Sequence, residues 1–211
     1  LGVEDGAKTD GSGWSQGEAC LNLNVYRPRR SGEVAGEGEE ARYPVLMVWH
    51  PGNFVAGSNA LSLFDYGQLA ATLRLVVVVP NYRLGVAGFL AAPNRPPGHS
   101  SNGNWGLLDL VESARWVQRH IGLFGGAERS VTLLGHSAGA LMAHLLTLQQ
   151  QMQQGSNTPL WHRLILASGT AGLKPPRSLR LAQQETLHLA KLAGCNDLNC
   201  LARKPLDELS R

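Results

Sequence analysis

Residues 131–140 read Val-Thr-Leu-Leu-Gly-His-Ser-Ala-Gly-Ala and decide the fold of this chain. A short apolar run precedes the pentapeptide Gly135 to Gly139, and a helix-forming run over 140–146 follows it. This order predicts a strand, a very tight turn at Ser137 and then a helix. Glycine at both ends of the pentapeptide would let the strand and the helix approach each other closely, because glycine has no side chain.

A strand, G-x-S-x-G and a helix in this order are typical of the nucleophile elbow of α/β-hydrolases. The Ser137 hydroxyl would then project from the carboxyl edge of a sheet, beside the N–H groups and the positive dipole end of the helix. The pentapeptide alone is common by chance. The alternative interpretation is an ordinary turn in which Ser137 is only a helix N-cap. The flanking strand and helix favour the elbow.

Length and composition set the class of protein. The 211 residues are 43% hydrophobic, enough for one domain with a sizeable core. A net charge of +3, scattered along the chain, is too mild to indicate a nucleic-acid partner. No apolar run reaches the ~18 residues that a transmembrane helix needs. The first residue is Leu1 and not methionine, so we interpret the chain as an internal piece of a longer sequence.

Buried strands alternate with helices along the chain. Apolar runs predict strands at 21–26, 45–49, 75–79, 131–134 and 164–167, and helical spacing predicts helices at 64–74, 105–121 and 179–193. We expect loops at 1–19, 27–42, 81–104 and 149–154. The alternation predicts an α/β protein with a mostly parallel central sheet and helices on both faces. Ligands collect at the carboxyl edge of such sheets, where residues 50–54 and Ser137 both lie.

Several further blocks carry a family resemblance. They are Glu18 to Tyr26 (EACLNLNVY), Asn81 to Val86 (NYRLGV), Gly103 to Asp109 (GNWGLLD) and Arg115 to Gln118 (RWVQ). In this order, from about residue 18 to the end, the chain resembles the type-B carboxylesterase/cholinesterase family of the α/β-hydrolase superfamily. That family includes carboxylesterases, cholinesterases and lipases. It also includes relatives without catalytic machinery, such as neuroligins and the tail of thyroglobulin.

The resemblance implies a catalytic role for Ser137 and for two loops. Ser137 would attack the carbonyl of a small-molecule ester, and water would then clear the acyl-enzyme. The oxyanion would be bound by the backbone N–H groups of Gly52, Asn53 and Ala138. The family has three consecutive glycines where this chain has Pro51-Gly52-Asn53. Pro51 falls on the first of them, whose N–H is not a donor, so the missing N–H of proline is tolerated. The Asn53 side chain would crowd the acyl pocket. The alternative is that residues 50–54 form only a turn. The resemblance implies no cofactor and no metal.

The rest of the catalytic triad is not evident in the sequence. In this fold an acid and then a histidine follow the serine along the chain. The later histidines, His144, His162 and His188, lie in predicted helices or at a strand start, and we interpret them as structural or surface residues. His136 replaces the glutamate usual before the serine, which should weaken any preference for cationic substrates. We therefore interpret residues 1–211 as the N-terminal portion of a single catalytic domain, truncated after the nucleophile half.

The cysteines indicate the compartment. The resemblance implies a disulfide between Cys195 and Cys200, with two free thiols as the alternative. It also places the partner of Cys20 upstream, where this chain has no cysteine. Disulfide usage implies a secreted protein or one of the endoplasmic reticulum lumen.

Two functions follow from these features. The first is a serine ester hydrolase whose fragment here lacks the triad acid and histidine. The second is a catalytically impaired adhesion or scaffold protein of the same family. The intact pentapeptide around Ser137 favours the first function, whereas Pro51, Asn53 and the truncation favour the second.

Overall fold

The structure is a computed structural model, and it describes the chain in eight segments. They are residues 8–9, 15–17, 19–28, 42–60, 65–93, 102–152, 159–173 and 176–209.

Seven strands are formed within the described residues. They are β1 (Lys8–Thr9), β2 (Ser15–Gln16), β3 (Leu23–Tyr26), β4 (Tyr43–Trp49), β5 (Val76–Pro80), β6 (Gly126–His136) and β7 (Arg163–Ala167). Strands β1 and β2 pair with each other, and the other five form one sheet in the order β3-β5-β4-β6-β7. Only β3 is antiparallel to its neighbour in that sheet. The predicted α/β class with a mostly parallel sheet is therefore confirmed.

Seven α-helices accompany these strands in the described segments. They are α1 (Tyr66–Leu73), α2 (Gly85–Phe89), α3 (Trp105–His120), α4 (Ala138–Met152), α5 (Leu179–Leu192), α6 (Leu198–Ala202) and α7 (Leu206–Leu209). A 3₁₀ helix, Ile121–Phe124, follows α3. None of the described helices is both long enough and apolar enough to cross a bilayer.

The two faces of the sheet carry separate apolar cores. All five residues of β5 are buried, and alternate ones point to opposite faces. Val76 and Val78 belong to a core with α3 and α4, whereas Val77 and Val79 belong to a core with α1. Burial on both faces explains why the first four residues of this strand are all valine. Helices therefore cover both faces, as predicted.

The structure differs from the sequence prediction at the start of β6, at the end of α4 and in two predicted loops. Strand β6 begins at Gly126, five residues before the apolar run at Val131, because Gly126 already pairs with Tyr43 of β4. The pairing is irregular between Gly126 and Val131. Helix α4 continues to Met152, through residues predicted as a polar exit loop. The predicted loops at 1–19 and 81–104 contain the β1–β2 pair and the short helix α2.

An ion pair ties the loop after β5 to helix α3. The Asp109 carboxylate accepts hydrogen bonds from the backbone N–H, Nε and Nη2 of Arg83, at 3.1, 2.8 and 2.6 Å. The Asp109 side chain is only 7% exposed, so removing one partner would leave a buried charge alone. This contact fixes the chain where β5 leaves the sheet.

The start of α4 lies against the carboxyl end of β4. A Cβ atom at Gly139 would be 2.2 Å from the carbonyl oxygen of Trp49 and 3.0 Å from that of His50. Both are backbone atoms in a buried part of the sheet, so they cannot move aside as a flexible side chain would. Glycine at this position is what lets α4 begin directly above the sheet edge.

We expect Gly139→Ala to destabilise the protein by about 2 kcal/mol or more, because the added methyl group overpacks a backbone contact. Gly172→Ala is the matched control, since a Cβ there would meet nothing closer than the Thr170 hydroxyl at 3.8 Å. Urea denaturation of both variants measures the free energy of unfolding. Equal stability of the two variants would contradict this account of the packing.

Candidate active site

Ser137 is the single residue between β6 and α4. Its φ of 53° lies in the left-handed region, which is uncommon for a residue other than glycine. Its N–H donates to the Ala167 carbonyl at 2.8 Å, and its carbonyl accepts from the Leu141 N–H at 3.0 Å. The neighbouring strand and the new helix thus hold Ser137 in a strained conformation. The tight turn predicted from residues 135–139 is present.

The turn depends on a close approach of strand and helix. A Cβ atom at Gly135 would lie 2.6 Å from the Ala140 Cα and from the Gly139 carbonyl oxygen. A side chain at Gly135 would therefore force the helix away from the strand. Ser137 itself is partly exposed and lines an open pocket at the carboxyl edge of the sheet.

This pocket brings three of the predicted site residues together. Its lining consists of Asn53, Phe54, Ser137, Ala138, Leu141, Ser168, Gly169, Thr170 and Leu173. Gly52 is outside this lining and directly precedes Asn53 in the same loop. Among the described residues, no histidine and no carboxylate lines the pocket. The described lining therefore offers the Ser137 hydroxyl and backbone groups, without a histidine or carboxylate that could take the serine proton.

The loop after β4 is a tight turn. The Gly52 carbonyl accepts from the N–H groups of Val55 and Ala56, both at 3.0 Å. Asn53 and Phe54 have φ angles of 51° and 67°, two consecutive left-handed residues. Phe54 packs edge-on against Phe89, which anchors the far side of the turn. This loop therefore presents its first N–H groups in a fixed conformation.

The N–H groups of Gly52, Asn53 and Ala138 have no acceptor within the described part of the chain. Backbone N–H groups near a protein surface rarely stay without a partner unless water or a ligand accepts from them. Ala138 is also the first residue of α4, where the helix dipole is positive. These groups are chemically able to bind a negatively charged oxygen beside Ser137.

None of the three histidines that follow Ser137 in the described residues lines the pocket. His144 Nδ1 accepts from the Ala171 N–H at 3.1 Å, and His162 Nδ1 accepts from the Val131 N–H at 3.3 Å. His188 is exposed on α5. The contact of His144 was not predicted from the sequence. It holds the segment 168–173, which forms one wall of the pocket.

His50 is a second residue that the sequence did not single out. Its ring is buried, only 3% exposed, and stacks on Tyr82 with the ring centroids 4.3 Å apart. Nδ1 lies 2.8 Å from the carbonyl oxygen of Pro51. Burial lowers the pKa of His50, so its imidazole is neutral at pH 7. Its position after an apolar strand was the only signal in the sequence.

The predicted disulfide is present in the structure and lies in another part of the chain. Cys195 follows α5, Cys200 is in α6, and the two are joined. Cys195 is buried with Ala190 and Leu201 in a small apolar cluster. The disulfide thus secures the junction of these two helices.

Comparison with known proteins adds the family to this geometry. The model of the carboxylesterase family matches residues 3–211. The chain is 38% identical over 205 residues to the cholinesterase of Mus musculus, covering 92% of the chain and 31% of that relative. It is 40% identical over 184 residues to carboxylesterase 4A of Bos taurus, covering 85% of the chain and 29% of that relative. The chain spans just under a third of the length of these relatives.

The five-stranded sheet, its helices and the turn at Ser137 agree with the α/β-hydrolase fold that the resemblance implies. The match covers nearly all of the chain, and the identity to both relatives is high over that length. The chain therefore belongs to the carboxylesterase family.

Proposed function

We propose that this chain carries the nucleophile and the oxyanion-binding groups of a serine ester hydrolase. One observation carries the proposal: Ser137 lines the same pocket as Asn53 and Ala138, whose N–H groups have no acceptor in the described residues. Nucleophile and oxyanion donors on two adjacent loops are the geometric requirement for acyl transfer. The family membership supports the same reaction.

The reaction would proceed in two steps. Ser137 Oγ gives its proton to a base and forms a bond to the carbonyl carbon of the ester. The carbonyl oxygen becomes negative and is bound by the N–H groups of Gly52, Asn53 and Ala138. The bond to the alcohol oxygen then breaks, and the alcohol leaves with the proton. Water attacks the resulting acyl-serine in the same way and releases the carboxylic acid.

The base and the acid that orients it would come from sequence after Arg211. In this fold both follow the nucleophile along the chain. No histidine among the described residues lines the pocket, and His144 and His162 already accept backbone hydrogen bonds. We infer that residues 1–211 are the N-terminal portion of one catalytic domain. The longer protein that contains them is called the parent below.

The substrate would be a small, uncharged ester. The pocket is lined by apolar side chains and by small polar ones. No acidic residue among the described residues lines it, so nothing there would attract a cationic substrate. His136, before the nucleophile, adds no negative charge. We propose a secreted or endoplasmic reticulum location, because the disulfide between Cys195 and Cys200 is stable in an oxidising compartment.

An organophosphonate probe should label the parent at Ser137, because such probes react only with an activated serine. Peptide mapping by mass spectrometry should place the adduct on Ser137 and not on Ser168, which lines the same pocket. Ser137→Ala should abolish the label together with hydrolysis of p-nitrophenyl acetate. A folded parent that takes no label would contradict the enzyme proposal and favour the adhesion or scaffold function.

The 211-residue chain alone should show no saturable turnover of p-nitrophenyl acetate, because no histidine or carboxylate among its described residues lines the pocket of Ser137. Circular dichroism would verify that the chain is folded in the assay. The matched control is its Ser137→Ala variant, which should give the same background rate. Saturable hydrolysis that disappears in the variant would mean that residues 1–211 contain the base.

Asn53→Gly in the parent should raise the preference for long acyl chains. The substitution keeps the N–H and suits the left-handed φ of 51°, while it removes a side chain from the pocket lining. We expect the ratio of kcat/KM for the hexanoate over the acetate p-nitrophenyl ester to rise about 10-fold. Asn53→Ala should give an intermediate ratio. An unchanged or lower ratio in both variants would place the Asn53 side chain away from the acyl group.

A further inference from the structure

The loop 50–57 after β4, called the oxyanion loop below, is held by hydrogen bonds to its carbonyl groups. A peptide unit is planar, so the carbonyl of one residue and the N–H of the next point in opposite directions and move together. The N–H of Asn53 shares a plane with the Gly52 carbonyl, which accepts two backbone hydrogen bonds at 3.0 Å. The N–H of Gly52 shares a plane with the Pro51 carbonyl, whose contact is the His50 ring at 2.8 Å.

The direction of the His50 contact follows from its chemistry. A carbonyl oxygen can only accept, so Nδ1 must carry the proton and donate it to Pro51. The ring is neutral at pH 7, because burial lowers its pKa. Nε2 is therefore without a proton, and it is buried with no partner among the described residues. This is the tautomer with the hydrogen bond to Pro51.

The surroundings leave the ring little freedom. It stacks on Tyr82 with an angle of 19° between the ring planes, and the Tyr82 hydroxyl donates to the His50 carbonyl at 3.0 Å. A Cβ atom at Gly57 would lie 2.5 Å from both His50 Nδ1 and the Pro51 carbonyl oxygen, so Gly57 packs closely against this hydrogen bond. The stack on Tyr82 and the close approach of Gly57 leave little free space around the contact between His50 and Pro51.

A role in packing alone does not explain this residue. A buried polar atom without a partner, such as Nε2, costs about 1–3 kcal/mol, and a phenylalanine of the same shape would avoid that loss. The histidine has one feature that phenylalanine lacks, the donor at Nδ1. Pro51 suits this donor. The proline ring fixes the φ angle of Pro51, so its main remaining freedom is the orientation of the peptide plane between Pro51 and Gly52.

We propose that His50 is a positioning residue for ester hydrolysis, whose Nδ1–H holds the Pro51 carbonyl and so directs the Gly52 N–H at the oxyanion. The inference rests on the proposed function of the Ser137 site. His50 is not among the residues that line the pocket, and it would act through the peptide plane between Pro51 and Gly52. A misdirected donor weakens binding of the transition state more than binding of the ester, so kcat should fall while KM stays nearly constant.

Two substitutions of His50 in the parent separate the donor from the ring. His50→Phe keeps a ring for the stack on Tyr82 but cannot donate. His50→Asn loses the ring but places an amide N–H close to the position of Nδ1. We expect kcat for p-nitrophenyl acetate to fall about 10- to 100-fold in His50→Phe, with KM changed less than about 3-fold. His50→Asn should be the more active variant, although it is the poorer packing match.

Hydrogen exchange of the segment 50–57 gives a readout that needs no catalysis. We expect faster exchange in His50→Phe than in His50→Asn at equal melting temperature. If packing alone mattered, the order would be reversed in both activity and exchange, and either reversal would overturn the inference. A wild-type parent that neither hydrolyses esters nor binds the phosphonate probe would reject the proposed function, and the exchange order would still decide the role of His50.

A third variant covers the case in which His50→Phe does not fold. Gly57→Ala leaves His50 in place and inserts a methyl group against its hydrogen bond with Pro51. We expect the same signature, a lower kcat with KM nearly constant and faster exchange at 50–57. Gly194→Ala is the matched control, since Gly194 lies outside the pocket lining, has a φ of 69° and would have nothing within 4 Å of an added Cβ. Equal kcat in Gly57→Ala and Gly194→Ala would overturn the inference.

Discussion

The contact between the start of helix α4 and the carboxyl end of strand β4 is the constraint on which the site depends. The backbone of Gly139 lies so close to the carbonyls of Trp49 and His50 that no side chain fits between them. This contact brings together two segments separated by more than eighty residues in the sequence: the loop that leaves β4 and the turn that leaves β6. The pairing of β4 with β6 extends to Trp49 and Gly135, and this register sets where along the sheet edge the two segments meet.

The two segments are made rigid in different ways. Ser137 is fixed through its own backbone, by hydrogen bonds to β7 and to the first turn of α4. The loop after β4 is fixed through the carbonyls of Pro51 and Gly52, whose partners are the His50 ring and the N–H groups of Val55 and Ala56. Preorganised donors need no reorganisation when charge develops on the substrate, which is the largest contribution to catalysis in sites of this type.

The sequence was sufficient for the sheet, for the turn at Ser137 and for the two loops that meet there. These features leave a signal in side-chain type: β-branched runs such as Val76 to Val79, and glycines at fixed spacing around a serine. Features set by backbone hydrogen bonds were missed. The polar residues 128–130 of β6 lie at an irregularity in its pairing with β4, between the pairs Tyr43–Gly126 and Val45–Val131. The partners of His50 and His144 depend on ring orientation and tautomer, which no residue pattern encodes.

The tripeptide Pro51-Gly52-Asn53 shows how the loop departs from three glycines without losing either proposed donor. Proline stands at the position whose N–H is not needed. Glycine remains at the position where a Cβ would lie 1.7 Å from the Ala56 carbonyl oxygen, so no other residue fits. Asparagine stands where φ is 51°, a conformation that it tolerates better than most residues. Each replacement lies where the backbone permits one, and the single position without such freedom is unchanged. The two N–H groups therefore survive substitutions that would look damaging in an alignment of residue types, because the geometry of the loop is carried by its backbone and by His50.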